Sequence, residues 1–310
     1  MSSQGPVVIL GAAGFVGRAL SARLATAGTA VRAVTRSATE PHAGISTYVA
    51  GDLGADTEWA PIVENARAVV HLASRAHAPP GDESWIAEET RTAAALAHAA
   101  RVAGVERILF MSSIKAMGAI SGNVPFRAGA IAKPVEAYGR AKLSIEKALE
   151  AGPSLIVLRP PLIYGPGVKG NFRALLSLIA RGIPLPLASI ANRRSFIFIE
   201  NLLDLVELAL THAAAPGAIW LMRDDEDIST PELFRRLARH EGRQVRLFPF
   251  PPGLLRQALC LAGRGRDATA LIDSLAVDDT ATRALLGWQP RASLDDGLAA
   301  TCRWFEGTRG

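Results

Sequence analysis

The chain is predicted to fold as a doubly wound, parallel α/β sheet with a smaller, mainly C-terminal lobe. Three observations carry that prediction: a short apolar run that breaks into a glycine-rich turn and a helix, a strand–helix alternation that persists to Leu158, and a change of rhythm after Pro160.

The opening run, Val7-Val8-Ile9-Leu10, is continuously apolar and ends in glycine, which suits a strand buried on both faces. Over residues 15–24, Phe15, Val16, Ala19, Leu20 and Leu24 recur at helical spacing, and Gly28 ends the helix. Further strands are expected at 30–35, 47–49, 68–72, 107–111 and 155–158, with helices over 88–103 and 138–150 among them. Strands separated by helices of that length run parallel and join through right-handed crossovers. Beyond Pro160, proline and glycine become frequent, and helices at 172–180, 230–241 and 253–262 are expected outside the main sheet. Segments 196–209 and 218–221 are expected to return to the first lobe.

A chain of 310 residues, 49% of them hydrophobic, buries a large core. Its charged residues are interspersed and the net charge is +5, which suits an anionic small molecule. A basic stripe or a nucleic-acid reading module is absent from the sequence, so a nucleic-acid partner is not expected. Cys260 and Cys302 lie far apart without metal-ligand spacing, which points away from zinc and from a disulfide scaffold and fits a reducing compartment. No leader pattern is visible at Met1–Pro6, and the apolar stretch 254–262 contains Arg256 and is far shorter than the ~20 residues that cross a bilayer. That stretch reads as a core helix, with a surface helix as the alternative. A cytoplasmic protein without membrane insertion is therefore expected. His71, His77, His98 and His212 share no metal-binding spacing, Glu88, Glu89 and Arg91 read as the solvated face of a helix, and Trp85 reads as packing.

Gly11, Gly14 and Gly17 recur at three-residue intervals between the first strand and the first helix. Glycine permits a sharp turn and lets backbone N–H groups approach a pyrophosphate, while the helix N-terminus adds partial positive charge. The position after a buried strand and before an amphipathic helix makes this a dinucleotide-binding turn. An acidic residue usually follows some 20 positions later to hold the ribose of NAD. Here the second strand ends in Val34-Thr35-Arg36 with no acid before Glu40, so Arg36, with Arg32, is placed to meet the 2′-phosphate of NADP. NAD stays open as the alternative. Asp52 suits either the adenine amino group or a turn.

Tyr138 and Lys142 stand at i and i+4, on one face of a helix. An ammonium beside a phenol favours the phenolate, and such a tyrosine can exchange a hydroxyl proton while hydride moves. Ser112-Ser113 ends a buried strand about 25 residues upstream. With the glycine turn and His71-Leu72-Ala73, this ordered set resembles the extended short-chain dehydrogenase/reductases, the NAD-dependent epimerase/dehydratase family of nucleotide-sugar enzymes, across almost the whole chain. The resemblance implies a Rossmann-type domain over 1–170, rejoined by 196–222, and a substrate lobe formed by 171–195 and 223–310. It implies Ser113, Tyr138 and Lys142 as catalytic residues. The cofactor would meet Gly11, Gly14, Phe15, Val16, Gly17, Arg36, Asp52, Leu53, Leu72, Ala73, Ser112, Tyr138, Lys142 and Pro160. The substrate would meet Ser113, Lys115, Asn171 and Arg194, with Arg193 less well placed.

The segment Arg159-Pro160-Pro161-Leu162-Ile163-Tyr164-Gly165-Pro166-Gly167 resembles a family segment beside the nicotinamide. Leu286-Gly287-Trp288-Gln289-Pro290 and Ser293-Leu294 resemble its C-terminal signature, read here as a turn and a helix holding the lobe together. Ser113-Ile114-Lys115-Ala116-Met117-Gly118 departs from the family's SxxVYG, and Lys115 either contacts substrate or is exposed. The carboxylate of the family's dehydratases is missing after Ser113. Together these features are similar to a subgroup acting at C4 of UDP-linked N-acetylated 6-deoxy sugars in surface polysaccharide synthesis. The expected reaction is 4-keto reduction with NADPH, with 4-epimerisation on retained NAD as the alternative and a non-catalytic dinucleotide-binding sensor or structural subunit as a reading of another class. The family's frequent pairing makes a homodimer compatible with the sequence.

Overall fold

The computed structural model describes residues 5–38, 42–73, 83–213, 215 and 217–308. The first half runs β1 (Val7–Leu10), α1 (Phe15–Thr26), β2 (Val31–Thr35), β3 (Ile45–Val49), α2 (Trp59–Val63), β4 (Ala68–His71), α3 (Ser84–Val102) and β5 (Arg107–Met111). A 3-10 turn, Ile114–Ala116, precedes β6 (Phe126–Arg127), α4 (Ala137–Leu149), β7 (Ser154–Arg159) and β8 (Leu162–Tyr164). Then follow α5 (Gly170–Ala180), β9 (Phe196–Phe198), α6 (Ile199–Thr211), β10 (Ile219–Leu221), α7 (Thr230–His240), α8 (Pro252–Leu261), α9 (Gly265–Ile272), β11 (Val277–Asp278), α10 (Thr280–Leu286) and α11 (Leu294–Gly307).

Seven strands form one parallel sheet in the order β3-β2-β1-β4-β5-β7-β10. The chain winds outward from β1 to β3, then crosses to β4 and winds the other way, so the order reverses between β1 and β4. In open parallel sheets ligands bind at that reversal, beyond the carboxyl ends of the strands. Alternation along β1 explains its unbroken apolar sequence: Val7 and Ile9 enter one core, Val8 and Leu10 the other, and all four are fully buried. Each such side chain stabilises the fold by about 1.5–3 kcal/mol.

The expected strands and helices of this sheet are present, with ends displaced by a few residues. One expectation needs correction, and it concerns α8. Within residues 196–209, β9 pairs with β8 in a separate two-stranded ladder, and α6 then packs on α1 of the first lobe. There Arg23 bridges to Glu200, Asp204 and Glu207. Stretch 254–262 is not a core helix. Only Leu255 of α8 is buried, while Leu254 and Leu261 are 52% and 91% exposed. Periodicity alone does not say which side of an apolar helix meets the core.

The C-terminal segment is tied back by a buried polar node. Asp224 accepts from Tyr164 Oη at 2.8 Å, Asn201 Nδ2 at 2.8 Å and the Phe198 backbone N–H. Tyr164 also donates to the carbonyl of Leu294, the first residue of α11. Ser293 caps α11 in a reciprocal capping box with Asp296. Trp288 is buried, in keeping with the structural reading of this end.

Candidate active site

A groove of about 590 Å³ opens where β1 and β4 diverge. Gly11, Ala13 and Gly14 line one side, Leu72 and Ala73 the other, and Thr35, Arg36, Asp52 and Leu53 its far end. The glycines fit a close approach of backbone to phosphate. Gly11 has φ +83°, and a β-carbon there would stand 2.8 Å from the Ala73 nitrogen. A β-carbon on Gly17 would collide with the Gly11 carbonyl, so Gly17 sets how closely α1 packs on the turn. Phe15 and Val16 start α1, and the Phe15 ring lies beside Gly167. Because of this cradle and the N-terminus of α1, the residues present fit a dinucleotide. A buried polar atom adds to that fit: His71 lines the groove, and its buried Nδ1 has no hydrogen-bond partner among the described residues.

Tyr138 and Lys142 both stand on α4, and Ser113 caps the 3-10 turn after β5. The Ser113 hydroxyl is a hydrogen-bond partner of the phenol and also accepts from the Lys115 N–H at 3.2 Å. Lys142 is buried, donates to the Met111 carbonyl at 2.8 Å, and places Nζ 5.7 Å from the Tyr138 ring centre and 4.7 Å from that of Phe110. Two separate segments, α4 and the turn that follows β5, therefore bring these three residues together.

The phenol pKa is not lowered, contrary to the expectation from the neighbouring lysine. Burial pushes Tyr138 up to about 12, Ser113 opposes this through its hydrogen bond, and the negative charge of Glu89 adds to it. Burial likewise brings Lys142 down to about 8, against the pull of Glu89 and Glu146. His71 is pushed down to about 3, by burial and then by the Lys142 charge, and stands neutral.

Other predicted residues are dispersed. Arg36 and Asp52 are highly exposed at the groove's end and face each other at 3.8 Å. Ser112 turns its hydroxyl away from the groove, onto Glu146, and is buried. Pro160 is buried, and its carbonyl accepts from the Ile114 N–H. Lys115 is half-buried and paired with Glu136 at 2.8 Å. Asn171 lies exposed in the first turn of α5. Arg194 donates to the Asp273 carbonyl at 3.0 Å, and burial lowers it to about 10 against the attraction of Asp273. Arg193 instead pairs with Asp227. The structure thus gathers the residues expected to meet a cofactor more closely than those expected to meet a substrate. His77 lies outside the described residues.

Several groove residues were not anticipated. Glu88, Glu89 and Thr92 face the groove, whereas the two glutamates were expected on a solvated surface. Lys169, at the start of α5, lines it as well. Beneath the groove Glu146 accepts from Arg159 Nε at 3.0 Å in a fully buried pair that joins α4 to β7. Glu146 stands four residues after Lys142, a spacing that offers the one sequence signal for it.

Comparisons with known proteins agree with this geometry. A model of the NAD dependent epimerase/dehydratase family matches residues 7–221. A UDP-glucose 4-epimerase of Vibrio cholerae is 33% identical over 96% of this chain and 95% of its own. A dTDP-6-deoxy-L-talose 4-dehydrogenase (NAD(P)(+)) of Kitasatospora kifunensis is 26% identical over 94% and 93%. Among solved structures, the UDP-glucuronic acid 4-epimerase of Bacillus cereus in complex with NAD superposes with a TM-score of 0.81 over 98% of this chain and all of that one, at 18% identity. That likeness speaks for the fold alone. With the family model covering most of the chain and a full-length relative of this similarity, the chain belongs to the NAD-dependent epimerase/dehydratase family, as an enzyme of the extended short-chain dehydrogenase/reductase type.

Proposed function

We propose that this enzyme moves hydride at C4 of a UDP-linked sugar through Ser113, Tyr138 and Lys142, and that its reaction is 4-epimerisation with NAD retained in the groove. The observation that carries the reading is the meeting of Ser113, Tyr138 and Lys142, with the Lys142 charge acting on His71, which lines the groove. The Vibrio cholerae relative, a named 4-epimerase matching almost end to end, supports the choice of reaction.

Bound on the glycine turn, NAD supplies the hydride acceptor and, when oxidised, a positive charge. Ser113 donates to or accepts from the sugar O4 and holds it against the phenol. Tyr138 takes the O4 proton during oxidation and returns it during reduction, as general acid/base chemistry requires. With the phenol at about 12 in the protein alone, the proton rests on Tyr138 until positive charge is close. Lys142, anchored on the Met111 carbonyl, provides part of that charge from below. Arg194 and Asn171 are the candidates for the diphosphate, where a guanidinium offers paired donors in one plane.

A second reading, net 4-keto reduction with NADPH, is favoured by Arg36: a cation, not an acid, stands at the end of β2 beside the groove. One experiment separates the two. Purified enzyme is given UDP-glucose without added cofactor, then UDP-2-acetamido-4-keto-2,6-dideoxyglucose with NADPH or NADH, with Tyr138→Phe as the control. C4 interconversion without net redox supports the epimerase, and Tyr138-dependent NADPH consumption by the keto sugar replaces it with the reductase. Equal activity of wild type and Tyr138→Phe in both assays overturns the catalytic assignment itself.

A further inference from the structure

Helix α4 lies along the turn after β5 and is fixed to that segment at three levels. Near the helix N-terminus a β-carbon on Gly139 would collide with the Lys115 carbonyl, so backbone meets backbone there. Lys142 Nζ then donates to the Met111 carbonyl at 2.8 Å. One turn further, Glu146 accepts from the Ser112 hydroxyl. Tyr138, Lys142 and Glu146, at i, i+4 and i+8, therefore share the face of α4 that meets the segment holding Ser113.

The Glu146 carboxylate also ties in β7. Arg159, the last residue of that strand, donates from Nε to Oε1 at 3.0 Å and from Nη2 to Oε2 at 2.5 Å, and its Nη1 donates to the sulfur of Met117, which ends the 3-10 turn. Backbone bonds run beside these, from the Ser112 N–H to the Leu158 carbonyl at 2.8 Å and from the Ile114 N–H to the Pro160 carbonyl at 2.9 Å. Both charged side chains are almost wholly buried, at 3% exposure for Arg159 and 5% for Glu146. A buried ion pair contributes little net stability, because desolvation offsets the attraction, and apolar side chains of similar volume would join α4 to β7 as firmly. Apolar side chains would lack the bond to Ser112 and the charge one turn from Lys142.

We propose that Glu146, oriented by Arg159, is a positioning residue for the proton transfer: it sets the turn that carries Ser113 against α4 and supports the Lys142 ammonium, so that Ser113, Tyr138 and Lys142 keep one geometry. The role rests on the reading of Tyr138 as the proton carrier at C4. Burial brings Lys142 down to about 8, and the charges that oppose this are Glu89 of α3 and Glu146. The other titratable groups beside the ammonium are Tyr138, one turn before it, and His71 at the end of β4, which burial keeps neutral. Removal of the Glu146 charge leaves Glu89 to oppose the burial of Lys142.

The test uses two variants of the whole enzyme. Glu146→Gln keeps an acceptor for Ser112 and removes the charge, and Glu146→Leu/Arg159→Met removes both charges, so that neither partner is left buried alone. Each is measured for melting temperature, for kcat and KM in the C4 assay beside wild type and Tyr138→Phe, and, without substrate, for the titration of its lysine ε-carbons by NMR, with Lys142→Met assigning the signal. In Glu146→Gln the Lys142 midpoint should fall below that of wild type by about half a pH unit or more. In the double variant kcat should fall about 10- to 100-fold with KM for the sugar within about threefold, at a melting temperature near wild type. An unmoved midpoint in Glu146→Gln overturns the proposal. The titration needs no substrate, so it decides this even where the C4 reading itself fails, which equal activity of wild type and Tyr138→Phe would show. Wild-type kcat in a folded double variant overturns it too and leaves the pair as packing. Where Glu146→Gln does not fold, the double variant is titrated in its place.

Discussion

At the cofactor end of the groove, the turn residues Gly11 and Gly14, the residues after β4 and the β2 end stand together around one opening, positioned by backbone. At the substrate end, Lys115 is tied to Glu136, Arg194 to the Asp273 carbonyl, and Asn171 projects from α5. The difference follows from how each end is specified. A phosphate cradle of backbone N–H groups needs only a strand, a turn and a helix in succession. A sugar subsite needs side chains from distant segments, whose directions are set by packing.

The comparison is sharpened most by chemistry at the junction of the two ends. Tyr138→Phe should lower kcat by about 10²–10⁴ while leaving NAD binding and the melting temperature near wild type, because only the proton carrier is removed. Stopped-flow or coupled assays check the rate, and fluorescence titration checks the binding. If both fall together, the tyrosine is a structural part of the cofactor wall.

The glycine wall can be broken next. Gly17→Val should weaken NAD binding and cost about 1–3 kcal/mol of stability, since even a β-carbon collides with the Gly11 carbonyl. Calorimetric NAD titration and chemical unfolding measure the two effects. A variant with native affinity would show that the turn does not need α1 so close.

Lys142 yields a pH-dependent prediction. Its folded pKa, about 8, lies below the ordinary 10.5, so between these values the unfolded chain holds the proton more tightly. Wild-type stability should therefore rise with pH across that window. Lys142→Met removes the cost of burying the charge and should be more stable at pH 7 by at most about 3 kcal/mol, a gain that closes by about pH 10.5. Activity should fall in the same variant, the usual opposition between function and stability. Unfolding curves at pH 7 and 10 decide it. An identical difference at both would show that Lys142 keeps its ordinary pKa.

The smallest effect belongs to the exposed end of the groove. Arg36 and Asp52 face each other in solvent, so Arg36→Ala should change stability by no more than about 1 kcal/mol. If Arg36 meets a 2′-phosphate, the same change should lower the preference for NADPH over NADH. An unchanged ratio leaves Arg36 as a surface residue and favours retained NAD.

Sequence patterns located the elements that form the glycine end of the groove. β1, α1 and β5 were legible because their burial is simple: β1 is covered on both faces, so every residue is apolar, and a glycine turn must follow. The Ser113, Tyr138 and Lys142 set was legible through its order along the chain. Glu88 and Glu89 were misread because acidic residues in a helix usually face water, and only the packing of α3 beside the groove turns them inward. The direction of the Tyr138 pKa was misread for a related reason. The i,i+4 spacing shows a lysine nearby, but how far burial opposes it depends on the finished fold.

By itself, the sequence determined the doubly wound sheet and singled out the glycine turn and the three residues proposed for catalysis, since each depends on local spacing and on which strands must be buried. Only tertiary structure decided that Ser112 points to Glu146, that β9 joins β8, and that α8 keeps an apolar stripe outside. Those outcomes depend on which distant surface each element meets, and hydrophobic periodicity carries no information about the partner.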